Sequence, residues 1–219
     1  MSALNVTIDP SIKGAWPEAR LGCFIYTADV RAREDSLWTC LENEVAPYLK
    51  TMLETTPLAR SPTSPNPGRR TRPSARTDAA RFVRSLPPVA PGQGPLPDQQ
   101  RRDANNLSLE TGFSLGSYDT ARISADIVFR LGKAGEVYPG IGKDDIALEN
   151  MPLLADWEGA FGSPTSDSTR AMITQETRSC LTVVFSFSAR SKLEEALALT
   201  VKRFGQYANP SHAESFIIE

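Results

Sequence analysis

Residues 103–130 read DANNLSLETGFSLGSYDTARISADIVFR, and how they fold decides the architecture of the chain. In the second half, Ile123, Ala125, Ile127 and Phe129 alternate with polar positions. That period of two predicts a strand with one buried face. SLGSYD, just before it, reads as a turn because glycine and serine interrupt the apolar pattern. Downstream, Gly132, Gly135, Pro139, Gly140 and Gly142 punctuate a series of turns, MPLLAD (151–156) reads as a short buried strand and SPTSDST (163–169) as a loop. CLTVVFSF (180–187) is a second strand. SKLEEALALTVKRFGQY (191–207) has helical spacing, with Leu193, Ala196, Leu197, Val201 and Phe204 on one stripe. Ser191 and Glu194 fit a capping box at its start.

Working upstream, VTI (6–8) and LGCFIYT (21–27) are strand-like runs. Leu37, Leu41, Val45, Leu49 and Met52 form a helical stripe, with Ser36 as N-cap and Pro47 as an expected bend. Between that helix and residue 103 the composition changes. Residues 60–102 hold nine of the seventeen prolines and nine arginines, with no lysine, no glutamate and two aspartates. Such a segment buries too little apolar surface to offset the entropy of ordering, so an irregular Pro/Arg-rich insertion is expected there. Strands mixed with flanking helices predict an α/β (mixed α+β) fold, a single domain over 1–219 with a mixed central sheet.

Composition narrows the function. A net charge of −2 lacks the basic excess of a protein dedicated to coating nucleic acid, although a local basic groove stays open. Cys23, Cys40 and Cys180 are odd in number and far apart, without metal-ligand spacing. Buried reduced thiols are therefore expected, with no metal and no cofactor. MSALNVTIDP has neither a basic start nor an apolar stretch, so no signal peptide is expected. No apolar run reaches the roughly 20 residues that span a bilayer. A soluble cytoplasmic protein is the expectation.

Chemistry-bearing residues are few. The one histidine, His212, sits in NPSHAES, where a solvated tail histidine is the plainer reading against a Ser–His–Asp arrangement. PGIGKDD (139–145) lacks the spacing that cradles phosphates and reads as a turn. Asp145, Asp156 and Asp167 sit in or next to loops and could act as acids, bases or magnesium ligands, but without a partner at fixed spacing turn or cap roles are the plainer reading. The richest cluster is Ser166, Asp167, Ser168, Thr174 and Thr177, which can either line a polar pocket or stabilise their own loop.

The segment 103–130 resembles the B3/B4 domain of the bacterial phenylalanyl-tRNA synthetase β subunit and its free-standing relatives. The resemblance is carried by Asn105 and Asn106, by Leu109 to Gly112, by Tyr118 and Asp119, and by the strand from Ile123. It continues through LLADWEGAF and SDSTRAMITQETRSCLTVV, with Asp167, Ser168, Thr174 and Thr177. It extends over about 103–187 and loosely over the first sixty residues. The family's domain hydrolyses tyrosine wrongly esterified to phenylalanine tRNA. The resemblance thus implies tRNA-associated quality control by an aminoacyl-tRNA ester hydrolase, with a non-catalytic tRNA- or protein-binding module as the alternative. No synthetase activity is expected from such a domain alone. The implied catalytic residues are Asp167, Ser168 and Thr174, and the implied substrate-binding residues are Asn106, Ser117, Tyr118 and Asp119. Ser117 and Thr174 would donate hydrogen bonds, Asp167 would accept from water or ribose, and Tyr118 would pack. The partner implied is the aminoacylated 3′ end of a tRNA, with no membrane.

Two positions depart from the family. Its histidine falls on Gly116 and its tyrosine-recognising glutamate on Val183, so tyrosine specificity does not carry over. The family also carries a segment like Lys-Gly-Leu-Tyr-Arg-Ile-Asn-Asn-Val before the shared motif. One choice of codons for Gln93 to Arg102, read one base later, spells that segment. An out-of-frame tract within 60–102 would account for its prolines and arginines. The alternative is a real basic linker that touches RNA phosphates weakly.

Overall fold

The computed structural model describes residues 4–30, 39, 43, 47, 107–108, 111–142, 144–208 and 210–219. Most of the helix predicted around 36–52, Cys40, the tract 60–102 and Asn106 lie outside the described residues.

The described strands divide between two four-stranded sheets and a small hairpin. The strands are β1 (Asn5–Ile8), β2 (Arg20–Thr27), β3 (Ser114–Asp119), β4 (Asp126–Leu131), β5 (Val137–Pro139), β6 (Asp145–Ala147), β7 (Pro152–Asp156), β8 (Gly159–Gly162), β9 (Ser179–Ser186) and β10 (Ser211–Ile218). Among the described residues they are accompanied by the helices α1 (Pro10–Ala15) and α2 (Arg190–Tyr207). One sheet has the order β1-β4-β7-β8 and is mixed, because β1 runs parallel to β4 and the other pairs are antiparallel. The other, β10-β2-β9-β3, is antiparallel throughout. The class is α+β, as expected, with the strands shared between two sheets.

Burial follows from strand parity. In β9, Leu181, Val183 and Phe185 face the mixed sheet and pack with Ile127, Phe129, Leu154 and Phe161. Cys180 and Val184 face the other way and meet α2 through Leu193, Ala196, Leu197 and Phe204. The antiparallel sheet is thus the central layer, buried on both faces, which explains the near-continuous apolar run of β9. Fully buried side chains such as Phe129 and Phe161 contribute about 1.5–3 kcal/mol each relative to exposure. Gly22 lets α2 approach, since a Cβ there would lie 3.0 Å from Leu193 Cδ1. The third cluster joins Leu153, Ala155 and Ala160 of the mixed sheet's outer face to Tyr138 and Leu148.

Several predicted elements shift. SLGSYD is strand β3, not a turn. A 3-10 turn at Thr120–Arg122, capped by the Asp119 side chain on Ala121 N at 2.9 Å, precedes the alternating run, and the strand proper starts only at Asp126, so Ala125 lies before it and is exposed while Ile127 and Phe129 are buried. The helix α2 starts one residue early, at Arg190, so the expected Ser191 cap does not form; Glu194 pairs with Arg190 at 2.8 Å instead. The segment around His212, expected to be a tail, is strand β10 paired with β2. Cys23 and Cys180 are buried on opposite faces of the central sheet, and burial pushes the Cys23 thiol up to about 12.

Candidate functional site

Residues 163–178 follow β8 as an irregular strap that stitches the free edges of the two sheets together. Gly162 of β8 bridges Asp167, Ser168 N bonds Phe161 O at 3.0 Å, and Tyr118 of β3 bridges Met172. The end of β5 joins through the Gly140–Ser168 bridge and the 3.0 Å bond from Thr169 N to Pro139 O. Asp167 and Ser168 therefore stand where all three sheets meet.

At that meeting point Tyr118 lies across the sandwich. It is 1% exposed, and its hydroxyl donates to Asp167 Oδ1 at 2.8 Å. Its ring meets Phe161 edge to face, with centroids 5.0 Å apart. Two glycines make room for it: a Cβ on either Gly116 of β3 or Gly162 of β8 would collide with the Tyr118 hydroxyl oxygen. Both have ordinary backbone angles, so close approach rather than conformational freedom requires glycine. Burial first, then the Asp167 carboxylate, push the Tyr118 phenol well above its ordinary range, so it stays a proton donor. Gly116 pairs across the ladder with Val183, so the two positions at which the chain departs from the resembled family are neighbours beside this ring.

The other predicted site residues separate into two further groups. Ser117 points to the opposite face of β3, where its hydroxyl and that of Thr182 share a buried 2.9 Å hydrogen bond. Asp119 Oδ2 accepts from Thr177 Oγ1 at 2.7 Å, and Thr177 Oγ1 accepts from Thr174 N at 3.0 Å. This chain of bonds holds the 174–177 turn against the end of β3. Ser168 is buried and accepts from Arg170 N at 3.1 Å. So the structure brings Tyr118 to Asp167 and joins Asp119 to Thr174 through Thr177, but leaves Ser117 apart. The Ser117–Thr182 pair predicts its own outcome. Thr182→Val is expected to cost about 1–3 kcal/mol because it strands a buried hydroxyl. In denaturant melts, Ser117→Ala combined with Thr182→Val should cost less than the sum of the single changes.

Sequence reading missed Arg170, Tyr138 and Gly162. Arg170 clasps Asp156 through two bonds, Nη2 to Oδ1 at 2.9 Å and Nη1 to Oδ2 at 3.1 Å, and its guanidinium lies over Phe161 at 5.4 Å. Burial works most strongly against the Asp156 charge. The Arg170 clasp and the N–H groups of Ser124 and Glu158 overcome it and hold the carboxyl below its ordinary range. Tyr138 donates to Ser166 O at 2.5 Å, and burial pushes its phenol up to about 12. Among the described residues, no three His, Cys, Asp or Glu side chains gather as a metal site would need. His212 is exposed on the edge strand β10. No described helix is long and apolar enough to cross a membrane.

No family model matches the chain, and no curated protein matches it. Among solved structures it is similar to the crystal structure of an N-terminal fragment of the phenylalanyl-tRNA synthetase β subunit from Pyrococcus horikoshii, with a TM-score of 0.52 and 15% sequence identity. The match covers 99% of this chain and 51% of that one, so the chain spans about half the length of the fragment. At that identity the likeness is one of overall fold alone.

Proposed function

We propose that the chain acts in tRNA-associated quality control by engaging the aminoacylated 3′ end of a tRNA and hydrolysing a mischarged ester. The observation that supports this reading is the fold shared with an N-terminal fragment of a phenylalanyl-tRNA synthetase β subunit. In this reading Asp167 is the acceptor that positions water or ribose, while Ser168 and Thr174 supply hydroxyls near the reacting ester. Asn106, Ser117, Tyr118 and Asp119 complete the set assigned to binding. An aminoacyl ester is activated, so a well-placed water with hydrogen-bond donors for the oxyanion suffices without a histidine base.

A second reading, a non-catalytic tRNA- or protein-binding module, has its own support. Ser117 is turned to the helix side of β3, and the Tyr118 ring fills the space above Gly116. Deacylation of a panel of mischarged tRNAs distinguishes the two. Hydrolysis above the spontaneous rate is expected, with Asp167→Asn lowering it by about 100-fold or more, in the range of a lost general acid–base contribution. Asparagine still accepts from the Tyr118 hydroxyl, so the fold is kept. Binding without turnover favours the module. Neither binding nor turnover overturns both readings.

A further inference from the structure

We infer that Trp157, at the tip of the β7–β8 hairpin, is a stacking platform for an unpaired nucleobase at the 3′ end of the tRNA. The inference rests on the tRNA reading above and adds a contact outside the site already described. Turn positions favour small polar residues, glycine and proline, yet this turn carries a tryptophan. Its indole is 81% exposed, more than any other large apolar side chain among the described residues. With so little of the ring covered, packing within the chain does not account for it. The backbone beneath it is fixed. Asp156 Oδ1 accepts from Glu158 N at 3.0 Å across the turn, and Arg170 grips both flanks, through Asp156 at 2.9 Å and Gly159 O at 3.0 Å. A ring presented on a rigid turn loses little freedom on binding. The surroundings select the occupant. Beside Trp157 in the turn stand Asp156, Glu158 and Gly159, not the apolar neighbours that enclose a protein-binding hot spot. A partner with one flat apolar face and polar edges fits that setting, and a nucleobase is such a partner. Both acids pair with Arg170, Glu158 at 3.3 Å, which offsets the repulsion that bare carboxylates would exert on a phosphate. Arg122, whose carbonyl accepts from Arg170 Nη1 at 3.3 Å, adds a half-exposed guanidinium close to the turn. Aromatic faces combined with cations are how unpaired RNA is held.

The test is the affinity of the full chain for uncharged tRNA, read by anisotropy of the labelled RNA. Trp157→Ala should weaken binding by about 5- to 100-fold, the effect of losing one base–aromatic stack. Trp157→Phe keeps an aromatic face and should stay within about threefold of the native chain. The loss should be the same at about 50 and 200 mM salt, because stacking releases no counterions, whereas a lost phosphate contact flattens the salt dependence. Since the indole is exposed, Trp157→Ala should melt with the native chain, which separates lost binding from lost folding. Removing the unpaired 3′ nucleotides from the tRNA should abolish the difference between the native chain and Trp157→Ala. Equal affinity of those two chains for intact tRNA overturns the inference and leaves the tRNA reading standing. A difference that survives removal of the 3′ nucleotides also overturns it. Self-association that Trp157→Ala abolishes, with tRNA affinity unchanged, overturns it by assigning Trp157 to a contact between copies. No binding of tRNA by the native chain overturns this inference and the tRNA reading together.

Discussion

Gly162→Ala is expected to destabilise the fold by about 3 kcal/mol, near the upper end of the usual cost of overpacking a core. The added methyl would collide with the Tyr118 hydroxyl oxygen and ring carbons, which belong to a side chain boxed in by Gly116, Phe161 and Asp167. The ring cannot retreat toward β3, because Gly116 is already in close approach on that side. It cannot move outward without breaking its bond to Asp167. Gly116→Ala should behave alike, since its methyl meets the same oxygen. The measurement is a urea melt, with a lower midpoint at unchanged slope. The mechanism is isolated by repeating the change in a Tyr118→Leu background. Leucine is shorter, so the glycine replacement should cost about 1 kcal/mol or less there, a coupling of about 2 kcal/mol between the two positions. An equal cost in both backgrounds would mean that the methyl is felt by something other than Tyr118.

The same glycine explains what was hard to read in the sequence. Strands β2, β4, β7 and β9 were legible because alternation or short continuous apolar runs mark them. SLGSYD was not, because glycine and serine in sequence signal a turn. Here Gly116 serves the Tyr118 ring and Ser117 serves Thr182 on the other face, both facts of tertiary packing. β10 was illegible for a different reason: it is an edge strand with an exposed polar half, so it carries no apolar alternation. The polar cluster from Ser166 to Thr177 was visible as composition, but its partners were not. Tyr118 and Asp167 lie 49 positions apart, and Asp119 and Thr177 lie 58 apart, distances at which no local spacing rule operates. Asp156 read as one loop acid among three, since nothing local links it to Arg170.

Arg170→Leu is expected to cost about 3 kcal/mol at neutral pH, as removal of one partner from a buried ion pair does. The Asp156 side chain is 0% exposed, and leucine leaves its carboxylate with two backbone N–H groups but no counter-charge. The pH dependence separates this cause from lost packing over Phe161. In the native chain the Asp156 carboxyl is held below its ordinary value. Its contribution is therefore complete above the unfolded value of about 3.9 and is lost as pH falls through the lower folded value. In the Arg170→Leu chain burial acts without the guanidinium, so the folded value moves upward and protonation relieves the penalty. The stability gap between the two chains should consequently be widest near neutrality and narrow as pH falls toward about 3. Other carboxylates titrate alike in both chains and cancel in the difference. Parallel stability curves over that range would assign the loss to packing alone. Arg170 also ties the strap to the β7–β8 hairpin through Gly159 O at 3.0 Å and Glu158 at 3.3 Å. Loosening that tie shifts the segment carrying Asp167 and Ser168, so any hydrolysis of aminoacyl-tRNA should fall in Arg170→Leu even at temperatures where the chain stays folded.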